Sequence, residues 1–228
     1  MYSSVGHGGA SGYLAVMSIL SMNPEIMRSS ALVLNLIVSG TAFYGFRKAG
    51  YFSSIIFIPL AATSVPFAFL GAGFPADTDI YKILLGIILL FASFKISGVF
   101  DKVELNFKVE FNLLKALITG ALLGFVSGMI GIGGGIILSP LLLLFRWSEI
   151  KETAAISALF IFVNSASGLL RLSIDGLNIS FEMTYMTAAV FTGGLIGSQW
   201  GSKFANKKAL RILLSLVLFF ASMKLIFI

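Results

Sequence analysis

Cysteine is absent from the 228-residue chain. That excludes disulfides, thiolate metal sites and cysteine-relay chemistry, and it says nothing about compartment. Histidine occurs once, at position 7, with no carboxylate beside it in sequence. An intramembrane enzyme would need a nucleophile–base pair or a metal cluster. The lone His7 and the missing thiols supply neither, so no catalytic residue, metal site or cofactor is expected. Charge is also scarce. Charged residues make up 11% of the chain, against about 25% in an ordinary soluble domain. None of the ten acidic residues lies in the middle of an apolar segment, so the buried carboxylate ligands typical of cation carriers are missing.

What is present is apolar. Hydrophobic residues make up 57% of the chain and the mean hydropathy is +0.98. The excess runs through the whole length, which predicts an all-α, polytopic membrane protein rather than a soluble domain with one anchor. A cleavable signal peptide is a single short segment and does not explain it. The formal charge of +6 is read as loop bias, with no nucleic-acid partner; the lipid bilayer is the surface this chain meets.

Apolar segments are expected near 11–22, 29–46, 51–72, 80–97, 113–130, 134–146, 153–173, 181–201 and 208–228. A full crossing needs about 20 residues, so 11–22 and 134–146 are too short to span alone, and both follow a glycine cluster. With the N-terminus inside, the inner side collects Arg47, Lys48, Lys95, Lys102, Lys108, Lys115, Arg146, Lys151, Lys203, Lys207, Lys208 and Arg211. Arg28, Lys82, Arg171 and Lys224 fall outside. The excess of basic residues in inner loops favours this orientation.

The chain repeats itself. LLGIILLFASFKI (84–96) matches LLSLVLFFASMKL (213–225), and VGHGGASGYL (5–14) matches IGIGGGIILS (130–139). FLGA (69–72) returns as LIGS (195–198), and EIMRSSAL (25–32) as EIKETAAI (149–156). Order is kept and the spacing drifts only from 124 to 129, which defines two related halves. They are a first transmembrane repeat, 1–97, a cytoplasmic linker, 98–112, and a second repeat, 113–228. The break before 84 carries Asp77 and Asp79, whereas its counterpart before 213 carries Lys203, Lys207, Lys208 and Arg211. Related sequence with opposite loop charge implies opposite orientation, the inverted-repeat plan of many transporters.

The run GMIGIGGGIILSP (128–140) then acquires a purpose. Lipid offers no partner to a free backbone group, so irregular backbone is tolerated only within protein or along a watery cavity. A helix starting near Gly134 points its N-terminus, with about half a positive charge, at the break. Successive glycine amides and that helix end favour an anion. Two inverted halves bring two such ends, near Gly8 and Gly134, toward one midplane site. The run is no Walker loop, since no Gly-Lys-Ser/Thr follows.

The paired breaks, IGIGGG followed by Pro140 and VGHGGASGYLA in the first half, together with the duplicated FASxK helices, resemble the TauE/SafE sulfite-exporter family over nearly the whole chain. The resemblance implies a multi-pass carrier in the inner (plasma) membrane of a bacterium or archaeon. Its substrates would be sulfur-containing anions such as sulfite or sulfonates. Members usually carry a hydrophobic helix before the first glycine break, whereas here Met1 stands just ahead of Val5. Either the true start lies upstream, or the first half lacks that helix and a second subunit of a homo-oligomer covers the open side.

The substrate-binding candidates are therefore Gly6, His7, Gly8, Gly9 and Ser11 in the first break and Gly131, Gly133, Gly134, Gly135 and Ser139 in the second. Asn35 and Asn164, spaced 129 apart on corresponding helices, complete the set. Two readings stand for His7: an anion ligand or proton shuttle when protonated, or a neutral ring donating to a backbone carbonyl. Two also stand for the asparagines: donors to substrate oxygens, or interhelical hydrogen bonds. Gly120, Gly124 and Gly128, and likewise Gly193, Gly197 and Gly201, read as close helix packing. An anion leaving a negative interior gains about 2.3 kcal/mol per charge per 100 mV, so export needs no coupling ion. Alternating access is the expected mechanism, and an anion channel with continuous conduction is the alternative.

Overall fold

The computed structural model describes residues 1–19, 24–74, 86–87, 89–90, 93–94, 96–97, 110–176 and 183–227. Among these the chain is helical, with no strand. A 3-10 turn, Tyr2–Val5, leads into the helices α1 (Ala10–Ile19), α2 (Pro24–Lys48), α3 (Ser54–Ala72), α4 (Leu113–Ile130), α5 (Gly135–Leu144), α6 (Ile150–Asp175), α7 (Met183–Gln199) and α8 (Lys207–Phe227). A π turn, Trp200–Phe204, extends α7. Most of the linker proposed at 98–112 lies outside the described residues, as do Asp77, Asp79 and Lys82.

Among the described residues, four stretches are long and apolar enough to cross a membrane: Ile26–Lys48, Ser54–Ala72, Leu113–Ile130 and Ile150–Ile174. α1 and α5 have 10 residues each, about 15 Å of helix, or half a hydrocarbon core of about 30 Å. Local signals set the boundaries. Pro24 opens α2, where its missing N–H costs nothing. The Asn112 side chain accepts from Leu114 N at 2.8 Å to start α4, and Asn206 Oδ1 accepts from Ala209 N at 2.7 Å to start α8.

α2 packs on α6 and α7, α3 on α4 and α6, and α5 on α6. The α3–α4 seam is a glycine seam. A Cβ at Gly120, Gly124 or Gly128 would collide with the backbone carbonyls of Leu60, Ser64 and Ala68, and one at Gly71 would strike Phe125 O. With no Cβ the two backbones touch, which is how helices gain dispersion energy in lipid. On α7 the close-packing set differs from the expected one. Gly194 meets Thr41 and Val38, Gly197 and Gly201 meet Ser3 and Ser4, and Gly193 meets nothing within 4 Å. Ser3 Oγ also donates to Gly194 O at 3.0 Å. The reason is the 3.6-residue period, which carries a face through steps of three as well as four.

The described residues of the first FASxK segment lie against α8. Leu89 and Ile96 share a core with Leu214 and Leu218, and Ser93 Oγ donates to Ser215 O at 2.7 Å. The turns after α2, after α5 and before α8 gather on one face, where Gly50, Glu149, Lys151, Asn206 and Lys207 line a cleft of about 380 Å³. Lys207 pairs with Glu149 at 2.6 Å and holds its carboxyl below the usual range, while Lys151 lies 4.9 Å over the Tyr51 ring. At the far end of α2, Arg28 bonds Ala72 O, and Arg171 lies beside Gly73. Residues assigned to opposite sides by loop charge thus form separate groups.

Candidate functional site

Each glycine break is a helical turn, a left-handed glycine, two or three irregular residues and a new helix. The Tyr2–Val5 turn ends at Gly6 (φ 77°), and α4 ends at Gly131 (φ 76°). Gly9 (φ 94°) and Gly134 (φ 74°) then turn the chain into α1 and α5. Only glycine takes such angles without strain. All these positions, with α1 starting at Ala10 and α5 at Gly135, recur at one spacing of 125.

Among the described residues, no backbone carbonyl accepts from the amides of Gly8, Gly9, Ala10 and Ser11, nor from those of Ile132, Gly133, Gly134, Gly135 and Ile136. Each tip therefore presents a row of free N–H groups at a helix N-terminus, which carries about half a positive charge.

The two tips meet. A Cβ on Gly8 would collide with Asn35 Oδ1 and lie 3.1 Å from Ile161. A Cβ on Gly133 would lie 2.8 Å from Ile161 and 3.3 Å from Asn35 Nδ2. Asn35 Nδ2 donates to Ile132 O at 3.2 Å. Asn35 and Ile161 thus stand between the tips, each near mid-length of its apolar helix. The contacts come in exchanged pairs. The first tip rests on α6, with Gly6 against the Ala154 backbone, and the second rests on α2, with Gly131 against Arg28. Arg28 and Ala154 are 126 apart, as are Asn35 and Ile161. In these contacts the residue that stands opposite Asn35 is Ile161.

Several polar atoms of the candidate residues and of Ser165 are buried without a partner: His7 Nε2, Asn35 Oδ1, Ser165 Oγ and both amide atoms of Asn164, and no tip glycine lies against Asn164 among the contacts described. Ser165 Oγ lies 3.0 Å from the place a Gly133 Cβ would take. His7 is fully buried and its Nδ1 lies 3.1 Å from Val5 O. The ring therefore donates to a backbone carbonyl and leaves Nε2 as its second polar atom, a donor only when protonated. The Tyr13 hydroxyl donates to Gly8 O. Of the other sequence candidates, Ser139 is spent on a 2.7 Å bond to Ser157 that ties α5 to α6. Ser11 lies in the first turn of α1, and its side chain is outside the described residues. Sequence reasoning passed over Arg28 and Ile161, and ranked Ser165 only as a weaker candidate because membrane serines commonly bond to their own helix backbone. Arg28 was assigned to an outer loop, but it donates from Nη2 to Ala72 O at 3.0 Å and to Gly128 O at 2.6 Å. The signal for Arg28 was available in EIMRSSAL, whose match to EIKETAAI puts it in register with the start of α6.

A bundle of helices with several apolar spans, whose irregular glycine breaks are buried within protein, fits a membrane transporter. Comparison with known proteins agrees: the chain belongs to the TauE/SafE sulfite-exporter family, whose model, Sulfite exporter TauE/SafE, matches residues 1–225. It is 33% identical over 228 residues to the probable membrane transporter protein y4hK of Sinorhizobium fredii, covering 99% of this chain and 92% of that one. It is 32% identical over 152 residues to the probable membrane transporter protein MJ0441 of Methanocaldococcus jannaschii, covering 62% of this chain and 55% of that one. No solved structure matches it.

Proposed function

We propose that this protein carries a small oxyanion, a sulfur-containing one such as sulfite or an organosulfonate, out of a prokaryotic cell across its plasma membrane. It does so by alternating access around the two glycine tips. The observation that carries the reading is the meeting of the two tips at Asn35 and Ile161 with their leading amides unbonded. Free N–H rows at two helix ends attract negative charge and need no buried cation. The exchanged contacts at spacings of 125 and 126 support two halves related by an axis through the site. The family description supports the sulfur chemistry.

In the arrangement described, Asn35 and Ile161 fill the space between the tips. The substrate enters when the halves part and its oxygens replace those contacts. The burial of the tip glycines favours a carrier over a continuously conducting pore. The membrane potential alone drives an anion outward, by about 2.3 kcal/mol per charge per 100 mV.

Purified protein in liposomes tests this. Sulfite efflux should saturate and show counter-transport. Gly134→Leu, which forces a side chain into a left-handed position 3.0 Å from Phe160 and Ser127, should insert normally and transport nothing. His7→Ala should shift affinity or pH dependence. Wild-type efflux in both variants removes the proposed site.

A further inference from the structure

The exchanged contacts are geometrically matched but chemically unequal. At the position where the first tip meets Ala154, the second tip meets Arg28, and where one side of the junction holds Ile161 the other holds Asn35. The guanidinium and the amide therefore both reach the tips from α2, while α6 brings only the Ser165 hydroxyl, beside Gly133. Arg28 lies in the first turns of α2 but folds inward. Its Nη2 takes the last-turn carbonyls of α3 and α4, Ala72 O and Gly128 O. Its stem lies against Gly131, with Cγ 2.7 Å and Nε 3.5 Å from the place a Gly131 Cβ would occupy. The Nε–H is buried and has no partner, and among the described residues no carboxylate pairs with this guanidinium.

A cation within a spanning helix is costly unless it has a task. Two helix C-termini, each with about half a negative charge, hold the guanidinium in place without occupying all its donors. A carboxylate in the same position would compete with an arriving anion, and helix ends do not.

We propose that the oxyanion site is one-sided: the substrate docks on the second tip, against the amides of 132–135, with the Arg28 Nε–H as its charged donor. The first tip closes over it. This rests on the reading of the tips as an oxyanion site and adds the residue that sets affinity and charge preference. A guanidinium edge beside a row of amides fits an oxyanion with several acceptor oxygens, such as a sulfite or sulfonate group, better than a spherical halide.

The test is sulfite efflux from liposomes, with methanesulfonate and chloride as competitors, for wild type, Arg28→Gln, Arg28→Lys and Lys208→Gln. Thermal melts run alongside. Arg28→Gln should raise the KM for sulfite by about 10- to 100-fold and abolish the preference of the oxyanions over chloride. Arg28→Lys should recover thermal stability by rebonding the carbonyls while keeping a raised KM, because it lacks the second donor edge. Lys208→Gln, the loss of an exposed charge at the start of α8, should leave KM unchanged. If Arg28→Gln lowers only thermal stability or maximal rate, with KM and selectivity as in wild type, Arg28 is a structural clamp and the one-sided site is wrong. If the wild type shows no saturable sulfite efflux or binding, the oxyanion reading itself falls and takes this inference with it.

Discussion

Asn35 holds the centre of the molecule with a single amide. One proton of Nδ2 is committed to Ile132 O, and Oδ1, an acceptor, is buried against Gly8. A primary amide serves here because a hydroxyl is too short to touch both tips and a carboxylate cannot donate. Asn35→Ala should leave the Ile132 carbonyl unpaired in an apolar surrounding, a loss of about 1–3 kcal/mol. The melt in detergent should fall accordingly, with transport reduced beyond what the lost folded fraction explains. Full transport in a destabilised Asn35→Ala protein would make the bond a staple and not part of the site. The sequence made Asn35 visible as a polar residue in an apolar helix. It also suggested Asn164 as its twin, from the 129 spacing of the FASxK helices. Three residues are 300° of helix, so registers of 126 and 129 put residues on nearly the same face, and periodicity cannot separate them. The contacts do, and they select Ile161, which carries no polar signal to be read.

The elements were far more legible than their partners. Short apolar runs after glycine clusters gave the half-helices, because a 10-residue helix cannot span and a glycine turn can only be tolerated inside protein. The fourfold spacing of Gly120, Gly124 and Gly128 marked a seam but could not say which helix filled it; the answer is α3, itself carrying Pro59 and Pro66. That seam gives a prediction of its own. Gly124→Leu places four carbon atoms where Ser64 O already sits against Cα, so α3 and α4 must separate. Stability should fall by more than the about 1–3 kcal/mol usual for core overpacking, since backbone and not a movable side chain is in the way. Gly193→Leu, facing open space, should melt close to wild type and inserts the same side chain in the same class of helix. Equal losses in both would show that the two glycine sets act through helix propensity and not through packing.

At the scale of the whole molecule, the two halves proposed from the sequence repeat are in contact at the tips and again on the basic face. There Lys151 of the second half lies 4.9 Å over the ring of Tyr51 of the first and donates to Ser202 O at 3.2 Å. If substrate passes because the halves rock about the tips, this contact opens and closes once per cycle; a pore conducting through a fixed path leaves it alone. The absence of native cysteine makes the distinction accessible. Tyr51→Cys with Lys151→Cys should join under a short bifunctional thiol reagent added from the basic face. The bridged protein should lose sulfite efflux, and each single mutant treated the same way should keep it. Reversing a cleavable bridge should restore the flux. Efflux undiminished by a complete bridge would mean the halves stay still and would favour continuous conduction. Labelling from the opposite side only would place the basic face outside the cell and reverse the orientation drawn from Arg47, Lys48, Lys203 and Lys207.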